Sequence, residues 1–276
     1  MRRLVAQVPH GFQADKVWIR QATIRELNGY DEQQIASAQN FFPPFKTSLL
    51  LARVVEFNNT PSNLDTLQII RQLPVGDRIA LILHLRKVTF GAILHCTIQC
   101  PSCTDKLSTD IAIDSILQPP KNNPQPTYPL IFEKHQLTIR PINGSDLEDL
   151  ALNQNMPNLP EKLLRACIIS SNPPLPEKLS NKFQEQLGTK LAQIDQQADL
   201  TLNINCFSCN KSFQTLLDIE DFFFQEITAR YTQLEQEIHW IALHYHWNEK
   251  DILALPTSKR KRYVELINAS LTGDSI

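Results

Sequence analysis

Glycine is nearly missing from this chain. Only seven are spread through 276 residues, and none falls in G-x-G-x-x-G, G-K-[ST] or G-x-S-x-G. Backbone cradles for phosphate, and the sharp turn that lifts a nucleophilic serine, need glycine where a side chain would block approach. H-E-x-x-H is absent as well, so the sequence offers little to an enzyme reading. No apolar run approaches the roughly 20 residues that span a bilayer. Net charge is −2, too small to draw the chain toward nucleic acid or an anionic membrane. The start, MRRLVAQVPHGF, has two arginines but no apolar signal core, which points to a cytoplasmic chain whose thiols stay reduced. Its six cysteines then read first as metal ligands or buried thiols.

What is present is an ordinary globular composition, 42% apolar and 20% charged, with eighteen prolines. The Pro/Asn-rich stretch QPPKNNPQPTYP at 118–129 divides the chain, and SSNPPLPE at 170–177 is a second break. The halves on either side repeat one another. TIRELNGYDEQQIA from Thr23 and TIRPINGSDLEDLA from Thr138 agree at seven of fourteen positions, including Arg25/Arg140, Gly29/Gly144 and Asp31/Asp146. LLARVV at Leu50 has a looser echo in LRACII at Leu164, and a C-x-x-C follows in each half. The expectation is an internal duplication: a first repeat over 1–118, a linker over 119–129, a second repeat over 130–220, and a C-terminal helical segment over 221–276.

Period-two alternation marks KVWIRQATIRE as a strand. Each Asn-Gly precedes a helix for which Asp31 or Asp146 is the expected N-cap, and Asp77 is the expected N-cap of the apolar helix carrying Ile79, Ile82, Leu83 and Leu85. SNKFQEQLGTKLAQI is its counterpart, with Phe183, Leu187, Leu191 and Ile194 on one face. Alternating residues on both sides of each C-x-x-C predict two β-hairpins with the cysteines at their tips. The fold class expected is α+β: a duplicated body of helices and β-hairpin knuckles, with a C-terminal helical extension.

Two thiolates rarely hold zinc well, because Zn²⁺ prefers four tetrahedral ligands. Two facing knuckles supply them, so Cys100, Cys103, Cys206 and Cys209 are the expected Cys₄ site for a structural Zn²⁺ that pins the repeats together. Iron suits tetrahedral sulfur too; bare turn thiols and a redox pair are the other readings. A thioredoxin-like motif belongs at a helix N-terminus, which neither knuckle offers. Cys96 and Cys167 fall on apolar faces and read as buried small hydrophobes.

From Phe224 the apolar positions step by three and four through Ile227, Tyr231, Leu234, Ile238 and Ile241. This seam belongs to a helix lying along another helix. Trp240, Leu243 and Trp247 form a stripe beside it. A further helix follows Thr257/Ser258, with a basic run from Lys259 to Arg262 expected at the surface. The helical segment either docks on its own domain or engages a partner protein. In the partner reading Phe224, Ile227, Tyr231, Leu234, Ile238, Trp240, Ile241 and Trp247 contribute, together with Leu255, Arg260, Arg262 and Tyr263. His239, His244 and His246 are not spaced for one metal and read as core or surface residues.

LPVGDRIALILHLRKVTFG followed by IQCPSC, with IRELNGYDEQQIA upstream, resembles the baseplate hub assembly chaperone family of T-even-type phages. It resembles more nearly the versions found in bacterial contractile injection systems. The C-terminal IHWIALHYHWNEKDILALPTSKRKRYVELI is similar to a W-x(n)-L-x-L-P-x(n)-R-x-x-Y/W element of small tail-assembly proteins, carried here by Trp247, Ile252, Leu255, Pro256, Arg260, Arg262 and Tyr263. The matched pieces cover most of 17–113 and 236–267. The resemblance implies a non-enzymatic part of a contractile tail machine, whose partners are baseplate or hub/spike proteins and which acts in assembly or within the finished particle. Small-molecule substrates, membrane insertion and nucleic acid are not expected. A zinc-ribbon adaptor for nucleic acid or another complex is the alternative, and a metal-dependent hydrolase using the histidines near 239–246 a weaker one.

Overall fold

Two Asn-Gly pairs turn strand into helix in the same way. Asn28 accepts from the backbone N–H of Asp31 at 3.0 Å, and the Asp31 carboxylate accepts from the N–H of Asn28 at 3.0 Å. Asn143 and Asp146 repeat this at 3.0 and 2.9 Å. Each is a capping box in which asparagine is the N-cap and aspartate the third helical residue, not the aspartate N-cap the sequence led one to expect. The aspartates are drawn inward because an arginine one element earlier grips both carboxylate oxygens: Arg25 on Asp31 at 2.6 and 3.1 Å, Arg140 on Asp146 at 2.6 and 2.8 Å.

The computed structural model describes residues 1–38, 41–58 and 65–272. The first half runs β1 (Arg3–Ala14), β2 (Val17–Arg25), α1 (Gly29–Ser37), α2 (Pro43–Val54), β3 (Val55–Phe57), α3 (Thr66–Gln72), α4 (Val75–Phe90), β4 (Ile93–Gln99), β5 (Lys106–Ala112) and the single turn α5 (Ile113–Ile116). The second runs β6 (Tyr128–Phe132), β7 (His135–Ile139), α6 (Gly144–Leu152), α7 (Leu159–Ala166), β8 (Ile168–Asn172), α8 (Asn181–Ile194), β9 (Thr201–Asn205) and β10 (Ser212–Leu216). The order matches, except that α8 stands where the first half has α3 and α4 and that the single turn α5 has no counterpart. Each half holds a three-stranded antiparallel sheet, β1-β2-β3 or β6-β7-β8, and a two-stranded hairpin, β4-β5 or β9-β10. The architecture is α+β.

α4 lies at the centre of the larger core. Ala80, Leu81, Ile82, Leu83 and Leu85 are all buried, as expected of a helix covered on every side. Its N-cap is Pro74, not Asp77. Asp77 points instead into the β1 bulge, where its two oxygens accept from the N–H groups of His10 and Gly11 at 2.8 and 2.7 Å. The N-terminus of α4 is served by Asp195, which follows α8 in the other half: it accepts from Gly76 N–H at 2.9 Å and contacts His10 Nε2 at 3.2 Å. One end of one helix thus ties the two halves together. The smaller core packs Phe183, Leu187, Leu191 and Ile194 of α8 against Phe132, Leu137 and Ile139, the face the sequence predicts.

The C-terminal part is α9 (Ile219–Tyr245), α10 (Glu249–Ala254) and α11 (Thr257–Thr272). Its first turns belong to the main core, where Phe223, Phe224 and Ile227 pack with α4 and the first sheet. The segment beginning at 221 is therefore rooted in the body and is no appended arm. Farther along, Ile241, Ile252 and Ile267 form a small core joining α9, α10 and α11.

The passage from α3 to α4 and the passage from α10 to α11 are the same device. Each has isoleucine, then Leu-Pro, then a buried arginine four residues after the proline: Ile70, Leu73, Pro74, Arg78 and Ile252, Leu255, Pro256, Arg260. Pro74 forms an isolated bridge with Asn143, and Pro256 with Asn28. The next residue donates to the residue before the asparagine, Val75 N–H to Ile142 O at 2.9 Å and Thr257 N–H to Leu27 O at 3.0 Å. Gly29 and Gly144 are required by the close approach: a Cβ on Gly29 would lie 2.9 Å from Leu253 Cα, and one on Gly144 would lie 2.9 Å from Arg71 O. The α3–α4 passage thus clasps α6, and the α10–α11 passage clasps α1.

Candidate metal centre

Both hairpins form as the alternation requires. β4 pairs with β5 from Ile93↔Ala112 to Gln99↔Lys106, and β9 pairs with β10 from Thr201↔Leu216 to Asn205↔Ser212. The turns that close them are built alike. Cys100 N–H donates to Asp105 O and Thr104 N–H to Cys100 O, both at 2.9 Å; Cys206 N–H donates to Lys211 O at 2.9 Å and Asn210 N–H to Cys206 O at 2.8 Å. Thr104 and Asn210, each just after the second cysteine, take left-handed φ of 64° and 57°. That reversal brings both sulfurs of a hairpin to the same side.

The two tips meet. The sulfurs of Cys100, Cys103, Cys206 and Cys209 all lie within 4.8 Å of one another. Cys100 Sγ is 3.8 Å from Cys209 Sγ, and Cys103 Sγ is 3.6 Å from Cys206 Sγ. Disulfides require about 2.05 Å, so the pairs are not bonded. Four sulfurs placed tetrahedrally about 2.3 Å from one zinc ion would stand about 3.8 Å apart, close to the spacing found. Cys100 and Cys206 are buried, and Leu107, Ile204 and Phe213 pack around the group.

Electrostatics favour a cation here. The Cys206 thiol is drawn down to about 6, chiefly by the backbone N–H of Cys209. Asp105 N–H favours the Cys103 thiolate, but desolvation and the neighbouring thiols outweigh it and push Cys103 up to about 12; Cys209 is raised too. The surroundings thus favour the thiolate at Cys206 and oppose it at Cys103 and Cys209. A divalent cation removes the conflict by binding thiolates directly. The donor set therefore fits a soft tetrahedral metal such as zinc.

The other two cysteines stand apart. Cys96 and Cys167 are buried, and burial raises both thiols, Cys167 to about 12; they are inert core residues, as the sequence indicates. His239, His244 and His246 join no ligand group. Among the described residues the four cysteines are the one set of His, Cys, Asp or Glu with metal-ligand spacing. His244 instead contacts Trp240 O and stacks on the Trp240 ring.

The residues expected at a partner surface divide. Phe224, Ile227, Leu234 and Ile241 are buried against this chain's own helices, so the seam is used internally. Arg260 is also wholly buried, with its guanidinium on Glu32 at 2.7 Å and Glu237 at 2.9 Å. The acids on α1 and α9 draw it out of the basic run that was expected to be solvated. Tyr231, Ile238, Leu255 and Tyr263 are half-buried, while Trp240, Trp247 and Arg262 stay exposed, as does Leu243. Sequence reasoning missed His10 and Asp195, which no local pattern marks, and the Leu-Pro clasp, whose signal was present in the repetition of I-x-x-L-P-x-x-x-R.

No described helix is long and apolar enough to cross a membrane. Comparison with curated proteins and with solved structures finds no match. A family model does match: residues 58–224 fit that of the T4 bacteriophage base plate protein. Both knuckles and the α4–α6 clasp fall inside this segment, and the chain belongs to that family.

Proposed function

We propose that this base plate family member is a non-enzymatic component or hub assembly factor of a phage-tail-like contractile injection system. Its body arose by duplication and is stapled by one structural Zn²⁺ on Cys100, Cys103, Cys206 and Cys209. The observation that carries the reading is the convergence of two hairpin tips, one from each half, on a single four-sulfur site inside the family-matched segment. The matched order of elements and the paired Arg–Asp caps support the duplication. Four protein ligands leave no open position for water, so the metal would act as a fixed cross-link rather than a catalyst. The rigid body then presents the outer face of α9 to neighbouring baseplate or hub proteins. Trp240 and Leu243 on α9, and Trp247 in the turn that follows it, are exposed apolar side chains, and the two tryptophans are anchors of the kind that dominate protein interfaces; Arg262 on α11 would lie at the rim.

Replacing Trp240, Leu243 and Trp247 together by alanine tests the role. The expected outcome is a folded, metal-loaded chain whose injection particles, viewed by electron microscopy, lack complete baseplates. Particles of normal form and number would contradict it.

A further inference from the structure

The second clasp has a property that the first lacks: both of its halves lie outside the family-matched segment, one near each end of the chain. The first clasp is buried centrally. Arg78 donates to Ser48 Oγ at 2.8 Å and to the carbonyls of Ile70 and Pro44, and Ser48 passes the contact on to Glu148 of α6. It joins two different halves of the molecule, so the acceptor Arg-x-x-Asn-Gly-x-Asp can receive a Leu-Pro donor that is remote in sequence. The shared features are local: a bridge to the asparagine and a glycine bare enough for backbone contact, with an acid that meets the arginine directly at Glu32 and through Ser48 at Glu148.

The acceptor on α1 is filled from α10 and α11. Pro256 bridges Asn28, Arg260 meets Glu32, Thr257 and Ser258 bond Glu32 and Glu26, and Tyr30 Oη donates to Lys250 O at 3.2 Å. The donor reaches this place by a fold-back of only two residues, His246 and Trp247, between the end of α9 and the N-cap Asn248. His246 holds a left-handed φ of 55°, a conformation that a non-glycine residue adopts at a cost. Short turns of this kind are where elements change hands between identical chains.

We propose that the N-terminal end of α1, formed by Asn28, Gly29, Asp31 and Glu32 with the adjoining Arg25 of β2, is a docking site for the Ile252–Arg260 segment of a second copy of this chain. The turn at His246–Trp247 opens, α10 and α11 cross to the partner, and the partner's pair returns the exchange. Every contact of the closed form is remade across a twofold axis, including the small core of Ile241, Ile252 and Ile267. Within one chain the donor sits at an effective concentration in the millimolar range, so fold-back wins in dilute solution. Exchange wins where the turn is disfavoured or the chains are concentrated.

Light scattering on the full chain decides it. His246→Pro cannot hold φ of 55°, and it should convert the protein from monomer to mostly dimer; His246→Gly should stay monomeric. Adding Glu32→Lys to the proline variant should return it to monomer. Should His246→Pro fail to fold, chains carrying Glu32→Lys alone and Arg260→Glu alone can be mixed, one with an intact donor and the other with an intact acceptor. The mixture should form a one-to-one dimer that neither makes alone. The proposal is overturned by a folded His246→Pro monomer, by a dimer indifferent to Glu32→Lys, or by a mixture that stays monomeric.

Discussion

The two halves pass through the same elements, yet they are held together unequally. The first folds around α4, buries most of the apolar residues, and takes in Leu200 from the second half and Ile219, Phe223, Phe224 and Ile227 from α9. The second has a small core of its own around α8 and is secured to the first by discrete polar and sulfur contacts: Asp195 at the α4 N-terminus, the clasp at Asn143, and the four cysteines. The lesson is that a matched order of elements does not imply equal packing. The first half holds the larger core, and the second is fastened to it.

Substitutions should separate the two modes. Phe223→Ala removes a fully buried ring that contacts Phe90 and Phe224, and the expected loss is about 3–5 kcal/mol. Because it acts on the main core, thermal melting should remain a single transition at lower temperature. Phe183→Ala, whose ring packs edge-on against Phe132 at 4.6 Å, should cost a similar amount but loosen the second half first, seen as early amide exchange in α8. Identical exchange patterns in the two variants would argue for one undivided core.

The clasps come next. Arg78→Ala removes the buried guanidinium from Ser48 Oγ and the Ile70 and Pro44 carbonyls, while Glu148 keeps Arg71 and Ser48; Arg260→Ala leaves Glu32 and Glu237 without their cation. Each should cost roughly 3 kcal/mol, the scale for breaking a buried pair from one side. The first should lower global stability, whereas the second should chiefly free α10 and α11, detected as protease cleavage near Asn248. Smaller effects follow at the caps, where Asn28→Ala and Asn143→Ala should each cost about 1 kcal/mol. Smallest of all, Cys167→Ser should cost under about 1 kcal/mol, because a hydroxyl can keep the contact that the thiol makes with Leu163 O at 3.3 Å. A large loss there would mean that the thiol does more than fill space.

Much of this was legible in the residues. Alternation on each side of C-x-x-C defined both hairpins, and the repeated T-I-R-x-x-N-G-x-D placed the two capped helices, because strand period and cap chemistry are local. The identity of the cap was misplaced by three residues, since Asn and Asp share a capping box and sequence does not tell which partner leads. Asp77 was misread for a tertiary reason: its carboxylate satisfies the bulge at His10 and Gly11, 66 residues or more away. The C-terminal seam was correctly periodic, but period alone cannot say whether the facing surface belongs to the same chain. Burial of Phe224, Ile227, Leu234 and Ile241 answers that, and it moves the available surface to Trp240, Leu243 and Trp247.

One metal shared between the halves is the central prediction. Elemental analysis of the purified chain, beside a variant with Cys100, Cys103, Cys206 and Cys209 all changed to serine, measures it. One zinc per chain, lost in the variant together with ordered β4–β5 and β9–β10 hairpins, is the predicted result. A metal-free native chain with both hairpins intact would contradict it, leaving the second half fastened by Asp195 and the clasp alone.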